Sequence, residues 1–252
     1  MLADMANLVQ PGTAAAEMLA GLQADRMPAH IAMIMDGNGR WAKNRGLSRL
    51  EGHRQGAATA RLVVEACARL NVPFLTLYTF SSENWKRPPR EINALMNMLY
   101  ENLEQKAELL QRHQIRMRMI GEPARLPSRL SRKISEIEEM SRDYSHMTVN
   151  LAINYGGRQE VLRAVNAIIK AGLDAGKVTD QVFRQYLHTL NDPDPDLVIR
   201  TSGEQRLSNF LIYQSAYAEL VFAPEWWPDF QVEPLLRALT EYQSRQRRFG
   251  GL

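Results

Sequence analysis

With 252 residues, 31 Lys and Arg against 28 Asp and Glu, and 45% apolar side chains, the chain is long enough to bury a substantial core in one large or two small domains. A formal charge of +3, with no basic run beyond a short cluster near Arg245–Arg248, suits an anionic ligand and argues against a nucleic-acid partner. The single Cys67 allows no internal disulfide, no apolar run reaches membrane-span length, and no leader-like N-terminus is present, so a cytoplasmic protein is expected.

Residues 1–26 contain Pro11-Gly12 and an Ala-rich piece, which predict a loosely packed extension ahead of one domain over 27–252. Ile31–Met35 reads as a buried strand, and Asp36-Gly37-Asn38-Gly39-Arg40 follows it at once. Gly52–Leu70 has the spacing of a helix, Val72–Phe80 that of a second strand, and a long helix is expected from about Arg90 to His113. Ile115–Ile120 and Met147–Asn154 are the third and fourth strands, with a short helix after Pro127 between them. A helix from Gly157 to about Ala171, another over Asp180–Leu190, strands at Leu197–Thr201 and Glu219–Phe222, and a last helix at Glu233–Arg245 complete the series. Strands that alternate with helices, each strand a nearly continuous apolar run, predict one α/β domain: a mostly parallel six-stranded sheet with helices on both faces.

In such a sheet the loops that leave the strands share one edge. Those loops hold Asp36–Arg40, Ser81–Arg87 and Arg200–Ser208, and so bring together Arg40, Arg87, Arg200 and Arg206 with the hydroxyls of Ser81, Ser82, Thr201, Ser202 and Ser208. Arginine forks and free loop N–H groups suit phosphate oxygens. A carboxylate such as Asp36 would repel a phosphate unless a cation sat between them, which points to Mg²⁺. Glu219 is either a second oxygen ligand for that ion or a surface residue of the sixth strand.

Gly37-Asn38-Gly39-Arg40-Trp41-Ala42 also fits the dinucleotide pattern G-x-G-x-x-A, but no acid stands at the end of a second strand about 20 residues on to hold a ribose. Asp192, Asp194 and Asp196 imitate the start of a calcium loop, yet Leu197 replaces its turn glycine and Gly203 its closing Glu. His113, His146 and His188 lack partner spacing, and Trp226-Trp227-Pro228 reads as core or subunit contact.

Six stretches together resemble the cis-prenyltransferases, and in particular the bacterial undecaprenyl diphosphate synthases. They are His30–Ala42, Gly52–Gly56, Tyr78–Pro88, Asn154–Arg158, Asp196–Phe210 and Ala216–Leu220, and the likeness runs in order from about Met27 to Gly251. The resemblance implies a homodimer, an apolar tunnel between sheet and helices, and Mg²⁺-dependent addition of isopentenyl diphosphate to farnesyl diphosphate with Z double bonds. The product implied is undecaprenyl diphosphate, a carrier-lipid precursor for cell-wall polysaccharide and peptidoglycan, with peripheral membrane contact during its release.

By position, the resemblance makes Asp36 the central acid and metal ligand. Gly37, Asn38, Gly39, Arg40, Arg49 and His53 would hold the allylic diphosphate, and Trp41 falls in the same motif. Asn84 matches the proposed proton acceptor, with Ser81, Ser82 and Glu83 beside it and Trp85 and Arg87 on the substrate. Arg200, Arg206, Leu207 and Ser208 would receive isopentenyl diphosphate, and Glu219 would be the second metal ligand. Gln205 departs from the His that some relatives use at the metal, and Arg248-Phe249-Gly250 matches a C-terminal motif that reaches a neighbouring subunit's site. A non-catalytic partner subunit is the rival within the family, although such a chain is expected to lack the Asp36 or Asn84 equivalents.

Overall fold

The computed structural model describes residue 5 and residues 7–190 and 192–246, apart from the side chains of 105 and 106; the Arg248-Phe249-Gly250 motif lies outside them. Six strands form one sheet: β1 (His30–Ile34), β2 (Phe74–Ser81), β3 (Ile115–Ile120), β4 (Met147–Tyr155), β5 (Leu197–Arg200) and β6 (Glu219–Phe222). Their order is β3-β4-β2-β1-β5-β6, and all five pairings are parallel. From β1 the chain builds outward to β2 on one side, then crosses to lay β5 on the other. The switch point of the sheet therefore lies between β1 and β5, where the loops leaving the strand ends diverge and open a crevice.

Alternate residues of the strands feed two cores. Ile31 and Met33 of β1, with Leu75, Leu77, Val149 and Leu151, join the larger one. It is shared by α1 (Ala14–Gly21), α3 (Arg49–Arg69), α4 (Pro89–Arg112), α5 (Ser128–Met140) and α8 (Val232–Ser244). Ala32 and Ile34 point the other way, into a smaller cluster with Tyr155, Val198, Phe210 and Leu211. Residues Met5, Val9, Ala15 and Leu19 enter the larger core, so this part of the predicted extension is packed against the domain.

The local signals explain most of the boundaries. Helix α3 begins at a capping box in which the Ser48 Oγ accepts from the Glu51 N–H and the Glu51 carboxylate accepts from the Ser48 N–H, three residues before the predicted start. Helix α6 (Gly157–Lys170) opens at the Gly156-Gly157 pair as expected. Two elements differ from expectation. The glycine loop after β1 is itself helical, as α2 (Asn38–Asn44), and the predicted helix Asp180–Leu190 is a single turn, α7 (Asp180–Arg184), followed by turns that end with Leu190 at φ 43°.

His30, fully buried at the start of β1, is shifted toward its neutral form. Its Nδ1 donates to the Pro193 carbonyl at 2.7 Å and its Nε2 accepts from the Thr76 hydroxyl at 2.7 Å. Burial lowers its pKa below 6.5, against the weaker opposing pull of the Pro193 carbonyl and nearby Asp192. Burial likewise depresses His53, to about 4, together with His113 and His188. These rings bind protons more readily in the unfolded chain. Their stabilising contribution is complete above about pH 6.5 and is lost as pH falls below that value. The midpoint of urea unfolding is thus expected to be lower at about pH 5 than at about pH 7.5; an unchanged or higher midpoint at the acid pH would contradict this reading.

Candidate active site

The C-terminal edge of β1 and β5 places a carboxylate and a guanidinium face to face. Asp36, two residues past β1, meets Arg200, the last residue of β5, with Oδ2 at 2.9 Å from Nη2. Arg40, one helical turn along α2, approaches the other oxygen at 3.3 Å. Burial would raise the Asp36 pKa, but the hydrogen bond and charge of Arg200, with Arg40 and the Gly37 N–H behind them, hold the carboxyl below its usual range. The acid is therefore ionised at neutral pH. Arg200 is only 4% exposed and also donates to the Ser208 Oγ at 2.6 Å and to the Arg206 carbonyl.

Close packing aims the glycine loop. Gly37 takes φ +104°, a left-handed value that suits glycine, and a Cβ there would meet Trp226 at 2.8 Å. A Cβ on Gly52 would fall 2.2 Å from the Asn38 carbonyl oxygen, and one on Gly56 2.2 Å from its side-chain oxygen. Helix α3 thus lies directly against the start of α2, whose first N–H groups have no partner within the helix.

Around this centre opens a cavity of about 1200 Å³. Its mouth holds Asp36, Gly37, Asn38, Gly39, Arg40, Arg49, His53, Ser81, Glu83, Asn84, Arg87, Arg200 and Ser208, so most of the residues singled out from the sequence do converge. Arg49 and Arg87 share the Glu91 carboxylate, at 3.4 and 3.0 Å. His53, kept neutral by burial and by those two cations, has a buried Nε2 without a partner among the described residues. The Asn84 Oδ1 accepts from the Ser81 N–H at 3.2 Å. Beyond the mouth, Leu77, Phe80, Leu95, Leu99, Leu103 and Ile153 make the walls apolar between the sheet and the helices α3 and α4.

Other predicted site residues stand outside the cavity lining. Trp41 turns outward, donating to Asp229 at 2.7 Å beneath the Arg45 guanidinium. Trp85 donates to the Asn154 Oδ1 at 2.7 Å and packs edge-on against Phe80. Ser82 keeps a buried Oγ without a partner among the described residues, Arg206 pairs with Glu204, and Leu207 packs against the smaller core. Glu219 requires a correction. It opens β6 in register with Leu197 and hence with Ile31, at the N-terminal end of the parallel sheet, and pairs with Arg245 at 2.7 Å. One chain cannot bring Glu219 to an ion held by Asp36, because the two lie at opposite ends of the strands.

Lys43 and Asn209 line the cavity without having been singled out. Asn209 accepts from the Arg158 N–H at 2.8 Å and donates to Glu83 at 2.8 Å, tying the loop after β5 to the one after β2. Ser202, Ser208, Asn209 and Leu211 all have positive φ, a concentration of backbone strain typical of a functional loop. Only the loop position of Asn209, in Arg-Leu-Ser-Asn-Phe, hinted at this role.

A metal at Asp36 would find one ionised carboxylate. Among the described residues no group of three or more His, Cys, Asp or Glu could hold an ion by itself. That donor set fits Mg²⁺, which keeps several waters and commonly takes one or two carboxylates plus substrate phosphates, better than a metal needing an all-protein cage.

Comparison with known proteins agrees with this geometry. Residues 34–250 match the family described as "Putative undecaprenyl diphosphate synthase". The chain is 48% identical over 229 residues to an isoprenyl transferase of Thermotoga maritima, covering 90% of this chain and 98% of the relative. It is 45% identical over 249 residues to one of Heliobacterium mobile, covering 96% of each. Among solved structures, lavandulyl diphosphate synthase of Lavandula x intermedia, in complex with dimethylallyl diphosphate, superposes with a TM-score of 0.87 at 36% identity, over 90% of this chain and 99% of that one. A probable undecaprenyl diphosphate synthase of Campylobacter jejuni gives 0.74 at 33% identity, over 88% and 98%. The chain belongs to the undecaprenyl diphosphate synthase family of prenyltransferases.

Proposed function

We propose that the protein condenses isopentenyl diphosphate with farnesyl diphosphate, in the presence of Mg²⁺, to give a long-chain polyprenyl diphosphate with Z double bonds, and that the product is undecaprenyl diphosphate, a carrier-lipid precursor for cell-wall synthesis. The observation that carries this reading is the two-natured cavity. Its mouth gathers cations from four elements on the edge that holds the Asp36 carboxylate, and its depth is walled by leucine, phenylalanine and isoleucine. A diphosphate head and a growing isoprenoid tail are the ligand such a cavity suits.

In this reading Arg40, Arg49 and the first N–H groups of α2 hold the allylic diphosphate, while Arg200, Arg206 and Ser208 hold that of the isopentenyl unit. Mg²⁺, when bound, would neutralise charge on the departing diphosphate. As the allylic C–O bond breaks, its electron pair leaves with the diphosphate, and the α2 N–H groups and Arg40 meet the charge that develops. The isopentenyl double bond supplies the electrons for the new C–C bond, and a proton then leaves the carbon next to the resulting cation. Asn84, at the same mouth, orients that transfer. Holding both heads supplies alignment, worth about 7–11 kcal/mol in favourable cases.

Leu162, Val165 and Ile169 lie on one face of α6 and are 63%, 40% and 69% exposed; Ile212 and Tyr217 are exposed too. We read this apolar face as the surface that meets a second copy of the chain. No helix among the described residues is long and apolar enough to cross a membrane, so contact of the enzyme with a bilayer during product release would be peripheral.

Labelled isopentenyl diphosphate should be incorporated onto farnesyl diphosphate with Mg²⁺ and not with EDTA, in products near eleven isoprene units, and Asp36→Ala should lower turnover by at least about 10³-fold. Shorter products would overturn the assigned product but keep the chemistry. No incorporation by a folded wild-type chain would favour a non-catalytic partner subunit. The wild type should sediment as a dimer and Ile169→Asp as a monomer; a monomeric wild type would refute the dimer.

A further inference from the structure

The residue after Arg200 holds Asp36 from behind. Thr201 is 1% exposed, and its hydroxyl touches the peptide groups of Asp36 on both sides. Its Oγ1 accepts from the Asp36 N–H at 2.9 Å and donates to the Asp36 carbonyl at 2.7 Å; the Ile34 carbonyl lies farther, at 3.4 Å. The Trp227 N–H donates to that same Asp36 carbonyl at 2.9 Å, and the Asp36 N–H also leans on the Ile34 carbonyl at 3.1 Å. Consecutive residues of β5 and its exit loop thus grip Asp36 at both levels, Arg200 at the carboxylate and Thr201 at the main chain.

These two grips differ in what happens to them when ligands arrive. Arg40 and Arg200 hold the Asp36 carboxylate in this structure, and both are cations suited to diphosphates. A guanidinium and a divalent cation also compete for the same carboxylate oxygens. Once the arginines turn to diphosphates, the direction of the Asp36 side chain depends on its backbone, which stands between a positive-φ glycine and a strand end. The Thr201 hydroxyl is the side-chain contact to that backbone, and it is shut off from water and from the cavity contents.

We propose that Thr201 is a positioning residue: its hydroxyl fixes the main chain of Asp36 so that the carboxylate stays aimed at the metal and diphosphate after its arginine partners have left it. This rests on the reading of Asp36 given under Proposed function. Partners one step removed from a metal ligand commonly matter 10- to 100-fold. Thr201 is buried and stands outside the cavity lining, so its loss should fall on turnover and metal affinity, and not on recognition of the prenyl diphosphate.

The test compares Thr201→Val, which keeps the shape and deletes the hydroxyl, with Thr201→Ser, which keeps the hydroxyl. Asp36→Ala is carried in parallel. Turnover is measured across Mg²⁺ concentrations, and Mg²⁺ binding is measured separately by calorimetry on enzyme loaded with a non-reacting allylic diphosphate analogue. For Thr201→Val we expect kcat lowered about 10- to 100-fold and the Mg²⁺ dissociation constant raised about tenfold. Metal-free affinity for the analogue should stay within about twofold of wild type, and Thr201→Ser should recover most of both losses. Thr201→Val with near-wild-type turnover and metal affinity, beside an inactive Asp36→Ala, would overturn the proposal and leave the active-site reading standing. An active Asp36→Ala would overturn the active-site reading itself. If Val prevents folding, Thr201→Ala takes its place in the same measurements. Lower thermal stability with unchanged Mg²⁺ affinity would then assign Thr201 a purely structural role and overturn the proposal.

Discussion

The ion pair between Asp36 and Arg200 is the interaction around which the site is built. Arg200 is almost wholly buried, and removing the partner of such a cation is costly because its charge is left uncompensated. The guanidinium therefore requires an anion, and Asp36 fills that role in this structure. A diphosphate could fill it in turn, freeing the carboxylate for a cation. The pair spans the switch point between β1 and β5, where the sheet's connections diverge, so the exchange takes place where the fold leaves room for a ligand.

The parallel sheet makes this arrangement possible by sending every strand's exit loop to one edge. Arg40 comes from the helix after β1, Ser81 and Asn84 from the exit of β2, and Arg200 and Ser208 from that of β5. Asn209 then ties the last two loops together through Glu83. Behind the polar edge, α3 and α4 stand off the sheet far enough to leave an apolar cavity where a filled core would otherwise lie. The separation of the polar edge from the apolar depth follows from sheet polarity and helix placement, not from any single residue.

Much of this was legible in the sequence because parallel strands, buried on both faces, read as short apolar runs. Ile115–Ile120 and Glu219–Phe222 fall where their residues predicted, and the other strands shift by a residue or two. Helix α2 was hidden because Gly37-Asn38-Gly39 has poor helical propensity; what holds it is its fit against Gly52 and Gly56 of α3, a contact between segments that no local pattern shows. The predicted Asp180–Leu190 helix ends after one turn, because the chain breaks into turns toward the Leu190 left-handed position. Glu219 shows the limit of grouping loops by sequence alone. It belongs to the start of its strand, so strand direction carries it away from the edge where the other candidates meet.

A crystal structure with Mn²⁺ and a non-reacting allylic diphosphate analogue tests the central claim most directly. The account predicts anomalous density for the metal at a carboxylate oxygen of Asp36, with Arg200 swung from Asp36 onto a phosphate or sulfate and the apolar tail running between α3 and α4. A metal and analogue bound elsewhere, with the Asp36–Arg200 pair intact, would contradict it.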